Sequence, residues 1–186
     1  MRSRDGLQCI MRNDPSLRTA VRAERWLVAI LLLVATYIFA TIGRMPPVVA
    51  SHFMASGAAN AVMTRGRYLA FLLVVALGLP AFIGFVPGRA LNGPRPHVNL
   101  PNRDYWFAPE RRDQAVAMLK AYFAHVGAGM AVFMAYVHWL VLRANAFRPP
   151  HLETPVLFAG LAVFVTGMLL RSIVLVMRFR ASVPLD

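Results

Sequence analysis

The sequence predicts an all-α fold, an integral membrane four-helix bundle with both termini on the cytoplasmic side. Three observations predict it. Hydrophobic residues make up 58% of the 186 residues and charged residues only 15%, against about 45–50% and about 25% in ordinary globular chains. Mean hydropathy is +0.54. The apolar residues gather in four long runs, with arginines gathered between them. Disorder and a soluble enzyme core are excluded on that composition. The formal charge of +12 would suggest nucleic acid in a soluble chain, but arginines flanking apolar spans are explained by topology.

Residues 1–25 read as a basic cytoplasmic tail, ending in a short interfacial helix over Leu17 to Trp26. Cys9, the single cysteine, excludes an internal disulfide and a multi-cysteine metal site. Neither Cys9 nor Met11 carries visible chemistry. The first span covers 26–43, bounded by Arg25 and Arg44, about 27 Å of helix for a hydrocarbon core of about 30 Å. A cleaved leader is the competing reading of this run, but its basic region would be too long.

The second span covers 68–86, opened by Arg65 and Arg67 and closed by Pro87-Gly88-Arg89, with a kink expected at Gly78-Leu79-Pro80. The third covers 114–142 and the fourth 155–177, where Pro155 suits a first helical turn. The membrane domain thus runs over 26–180, and 181–186 form a cytoplasmic tail. With the N-terminus inside, thirteen arginines fall on the inner side (Arg2 and Arg95 among them) and five on the outer side. The positive-inside rule then sets the orientation.

The third span carries a seam of alanines, Ala117, Ala121, Ala124, Ala128, Ala131 and Ala135. The period is 3.5 residues, which predicts a left-handed crossing. Small residues let helix backbones approach closely in lipid. The seam serves either packing inside one bundle or contact with a second chain. Gly127 and Gly129 add close approach beside it. Extending the period reaches His138, which should point into the bundle near the outer surface.

No Asp or Glu falls inside a span, which argues against a proton-coupled carrier relaying through carboxylates. Lys120 and Arg171 lie toward the inner ends of the third and fourth spans. Both side chains either snorkel to the interface or form an inner pocket for an anionic lipid head group. His125, a turn above Lys120, reads as a packing residue.

The outer loop between the first two spans is apolar and nearly uncharged from Met45 to Asn60, so it should lie against the bundle or membrane. Pro46-Pro47 stops the first helix and Gly57 supports a turn. The inner loop, Pro87 to Arg112, is rich in Pro and Gly at first and then reads Leu100-Pro101-Asn102-Arg103-Asp104-Tyr105-Trp106-Phe107. Its aromatic triplet suits an interfacial belt, or with its neighbours a docking surface. Glu110 fits the first turn of the third helix, where a carboxylate is favoured.

These two loops carry a resemblance. Pro46, His52, Phe53 and Gly57, then Thr64 and Arg65, stand in register with the first-loop pattern of a bacterial four-span membrane domain. Leu100, Pro101, Asn102, Arg103, Asp104, Tyr105 and Trp106, followed by Glu110, Arg111 and Arg112, follow its second pattern. The chain resembles that domain over roughly residues 26 to 143. The domain includes the amino-terminal part of the immunity protein against a sporulation-delaying toxin. Ala50, Met54, Ala59, Asn60 and Val62 depart from the first pattern. The resemblance implies binding through His52, Phe53 and Gly57 outside. Inside, it implies binding through Asn102, Asp104, Tyr105, Trp106, Glu110, Arg111 and Arg112.

No phosphate-binding loop, dinucleotide fingerprint, nucleophile elbow or zinc-protease motif occurs. His52, His138 and His151 map to the outer side and could hold zinc only if the fold converged them. The expected function is therefore that of a non-enzymatic membrane protein that binds or senses at the bacterial inner membrane, without cofactor or metal. Its expected partners are membrane lipid and a membrane protein or a second copy, but no nucleic acid. One alternative is an accessory subunit packing on a larger complex through the alanine seam, and a weaker one is a membrane metalloenzyme.

Overall fold

A computed structural model describes residues 15–93 and 98–181. Arg2, Cys9, Met11, Arg95 and residues 182–186 lie outside the described residues. Four helices are long and apolar enough to cross a membrane.

Helix α1, Pro15–Ile42, is one continuous rod of 28 residues. The stretch from Leu17 to Trp26 is helical as expected, but it forms the first turns of this rod instead of a short helix that ends there. The buried residues of α1, Ala20, Ala23, Leu27, Val34, Ile38 and Thr41, recur at spacings of three, four and seven. The polar first turns therefore share one buried stripe with the apolar part, and nothing breaks the helix between them.

The all-α expectation fails in the outer loop. Strands β1, Val48–Phe53, and β2, Ala59–Thr64, form an antiparallel hairpin. Val48 pairs with Thr64 and Ala50 with Val62, and the register slips on either side of His52. The physical reason is backbone satisfaction. An uncharged segment lying against the bundle must pair its own N–H and C=O groups, and Val48, Val49 and Val62 suit a pleated surface. Gly57 makes the turn with φ of 89°. An added Cβ there would meet Leu152 O and the His151 ring.

The second rod begins at Arg65, three residues earlier than expected, because Thr64 Oγ1 accepts from Arg67 N and caps it. It comprises α2, Arg65–Leu73, a single π turn, Val74–Gly78, and α3, Leu79–Ala90. The widened turn stands just before Pro80, which has no N–H and whose ring would press on the carbonyl four residues back.

Helix α4, Arg103–Trp106, is a single turn. Helix α5, Arg112–Ala144, spans 33 residues, and α6 covers Thr154–Ala181. Pro155 takes the early helical position expected of it. Glu110 precedes α5, and Asp113 is the acid in its first turn.

Helix α5 is the axis of the bundle and packs against α1, α3 and α6. Ala121, Ala124 and Ala128 pack on Ala23 and Leu27. Gly127 faces Pro80 O and the Gly84 backbone, its ideal Cβ position only 3.1 Å from Gly84 Cα. Among the described side chains of α6, only Phe179 is buried.

Candidate functional site

A groove of about 830 Å³ opens between the first turns of α1, one face of α5 and the second half of α6. Its floor is made by Ala117 and Ala121, with Gln114, Met118, Tyr122 and His125 on the same face of α5. These residues fall at i, i+3, i+4, i+7, i+8 and i+11, one side of a helix. Gly167, Arg171, Val174 and Arg178 form the opposite wall, and Pro15 and Thr19 close the side toward α1. None of the described residues lining it is acidic.

The polar groups of the groove are arranged by local bonds. Ser172 Oγ donates to Met168 O at 2.8 Å, so it accepts from Tyr122 Oη, also at 2.8 Å. Since a carbonyl can only accept, His125 Nδ1 donates to Ala121 O. Arg171 is exposed within the groove wall.

Lys120, paired with Arg171 in the sequence reading, does not line the groove. Its stem packs beside Gly88 on the α3 side, its Cγ 2.9 Å from where a Gly88 Cβ would stand. A helix turns 100° per residue, so neighbours in sequence serve different faces. The cation that joins Arg171 in the groove is Arg178, two turns along α6.

At the other end of the bundle a fully buried histidine organises three helices. Tyr68 Oη lies 3.0 Å from His138 Nδ1, and Thr41 Oγ1 lies 2.9 Å from His138 Nε2. Thr41 Oγ1 also donates to Tyr37 O at 2.7 Å, so it accepts from His138 Nε2–H. The bonds then run in one direction, from Tyr68 through His138 and Thr41 to a backbone carbonyl. Tyr37 adds an edge-on ring contact at 5.6 Å. His138 points inward as the alanine period predicts.

The hairpin is fastened to the bundle beside this network. Asn145 Oδ1 accepts from Ala50 N at 2.8 Å, and its Nδ2 donates to Ala50 O at 3.0 Å and Val141 O at 2.9 Å. Leu152 N donates to Gly57 O at 2.8 Å, tying the turn to the α5–α6 connection. His52 is exposed, Phe53 is half-buried and Gly57 is buried. His138 is committed to Tyr68 and Thr41, and among the described residues no three His, Cys, Asp or Glu side chains converge to hold a metal ion.

The inner-loop residues separate into two groups. Trp106 is buried, donates from Nε1 to Phe179 O at 2.9 Å, and meets the Phe179 ring edge-on. Asn102 Nδ2 donates to the same carbonyl at 3.3 Å. These two therefore clamp the end of α6, Trp106 from a buried position and Asn102 from an exposed one. Arg112 donates to Gly93 O. Arg111 stacks on Tyr105 at 4.0 Å, while Asp104 and Glu110 are exposed.

The alanine seam is used inside the chain. Ala124, Ala128 and Ala131 are buried against neighbouring helices, and Ala135 is half-buried. The sequence gives no sign of the Asn145 fastening or of the contact of Trp106 with Phe179, whereas the groove lies at Arg171, where an inner pocket is expected, with Arg178 in place of Lys120. Asn145 stands just past a helix end, where asparagine is common, so its reach to Ala50 had no sequence signal.

Comparison with known proteins gives no match to this chain among family models, curated proteins or solved structures.

Proposed function

We propose that the chain is a non-enzymatic, multi-pass protein of the bacterial inner membrane that binds an amphiphile through the side of its bundle. In this reading both termini are cytoplasmic, as the arginine distribution favours. The hairpin bearing His52 and Phe53 then faces the exterior, and the Tyr105–Arg111 stack faces the cytoplasm. The resemblance of the two loops to the immunity-associated domain supports a binding or sensing role.

The groove carries the reading. Ligand sites are commonly concave, of about 300–1,000 Å³, largely apolar, with a few convergent polar groups. This groove has that size and lining, with Tyr122, His125 and Arg171 as its polar groups. Its small-residue floor leaves room that larger side chains would fill. Of the seam, Ala124 and Ala128 pack on Ala23 and Leu27 of α1, which favours packing inside the bundle over contact with a larger complex at these two positions.

Labelling with a diazirine fatty acid in mild detergent tests the proposal. Label should concentrate on Met118, Tyr122 and Val174, which line the groove. Phe158 and Val163 are exposed on α6 but lie outside the groove. Even labelling along α6 would refute a groove-based function.

A further inference from the structure

Resting on that reading, we infer that the groove takes a single-chain lipid with a hydroxyl-bearing head, of the monoacylglycerol class. Its hydroxyls donate to His125 Nε2 and Tyr122 Oη, and its acyl chain lies over Ala117 and Ala121. The hydrogens and lone pairs of the groove lead there.

His125 Nδ1 donates to Ala121 O. In the neutral imidazole the other nitrogen, Nε2, then carries a lone pair and no hydrogen. It bonds to no described residue, and His125 is half-buried in the groove lining. Tyr122 is in the same condition. Its hydrogen goes to Ser172 Oγ, whose own hydrogen goes to Met168 O. Tyr122 Oη is left with lone pairs alone. Side chains three residues apart on a helix are neighbours on one face. The groove thus presents two neighbouring acceptors with no hydrogen between them.

In a bilayer both acceptors stand within the third apolar run, where hydrocarbon takes the place of water. A polar atom left unpaired there costs free energy. An occupant that brings hydroxyl hydrogens removes that cost. A carboxylate or a phosphodiester brings only further lone pairs. A monoacylglycerol brings two hydroxyls and one ester carbonyl. Arg171, on the opposite wall, is purely a donor and suits that carbonyl.

The apolar part of the groove sets the chain number. Ala117 and Ala121 stand one turn apart and make a narrow floor, walled by Met118, Val174 and Leu175. A strip of two methyl side chains suits one acyl chain.

Competition against the diazirine fatty acid in the groove tests this, on the full-length protein in mild detergent. The competitors are 1-monopalmitoylglycerol and its di-O-methyl ether, which differ only in the methyls that replace the two hydroxyl hydrogens. Monopalmitoylglycerol should displace the label at a concentration at least about fivefold lower, the worth of one ordinary hydrogen bond. His125→Phe keeps the Tyr122–Ser172 bond and should lower that ratio by at least about twofold. The double variant His125→Phe/Tyr122→Phe should still take label and bring the ratio near unity. Thr36→Val removes an exposed hydroxyl outside the groove and should leave the ratio unchanged.

Equal displacement by the two lipids in the wild type would overturn the inference, since water would then serve both acceptors. A full preference surviving in His125→Phe would overturn it as well. Either result, with label still in the groove, leaves the amphiphile-binding reading standing and removes only the hydroxyl-bearing head. Absence of label from the groove would remove both.

Discussion

Tyr68 and His138, seventy positions apart in the chain, meet with Oη 3.0 Å from Nδ1. The contact joins α2 to α5, and Thr41 on the far side of the imidazole joins α1 to the same ring. Tyr68→Phe should destabilise the bundle by about 1–3 kcal/mol, the penalty for an unpaired buried polar atom. Thr41→Val should do likewise by stranding Nε2–H. The two effects should fall short of additive, because both act on one ring. Thermal unfolding of the single and double variants measures this. A Tyr68→Phe effect below about 0.5 kcal/mol would contradict the network.

Asn145→Leu should loosen the hairpin more than the bundle. It strands both backbone groups of the buried Ala50, each worth about 1–3 kcal/mol. Hydrogen exchange at the Ala50 amide should quicken at least about tenfold, while the interior of α5 changes little. Equal quickening throughout would mean that Asn145 supports the whole fold and has no special role at the hairpin.

Gly127→Val should force α3 from α5. A side chain there collides with Pro80 O and the Gly84 backbone, and overpacking of this kind costs about 1–3 kcal/mol or more. Gly66→Ala makes the control, because nothing lies within 4 Å of its Cβ position. Unfolding midpoints of the two variants should differ by several degrees.

Trp106→Phe should lose the bond to Phe179 O yet keep an aromatic ring against Phe179, at about 1 kcal/mol. Trp106→Ala should cost about 3–5 kcal/mol and free the end of α6. Limited proteolysis near Arg178 and Arg180 reports that release. Protection equal to wild type in Trp106→Ala would show that α6 is held elsewhere.

The four long helices were legible because each apolar run is bracketed by arginine or proline, and bilayer length sets a sharp minimum. The inward aim of His138 was legible because it continues a regular alanine spacing. The hairpin was not, because Ala50, Ser51, Ala59 and Ala61 give no apolar alternation, so its strands come from backbone pairing over a flat surface. Arg171 was legible as an unusual cation. Its partner was not, because deciding between Lys120 and Arg178 requires knowing which face of α5 meets α3. Trp106 looked like an interfacial aromatic, and only Phe179, 73 positions away, shows it to be a clamp.

The π turn at Val74–Gly78 makes the second rod tolerant of a missing residue in a way its neighbours are not. Leu72 and Pro80 are both buried, yet eight steps of an ordinary helix would leave them about 80° out of line. Seven steps would leave only about 20°. The turn thus absorbs one surplus residue. Deleting Val75 should convert the segment to plain α-helix while Tyr68 still reaches His138 and Gly84 still faces Gly127. The same deletion in the middle of α5 would swing half of that helix by about 100° and carry His138 away from both of its partners.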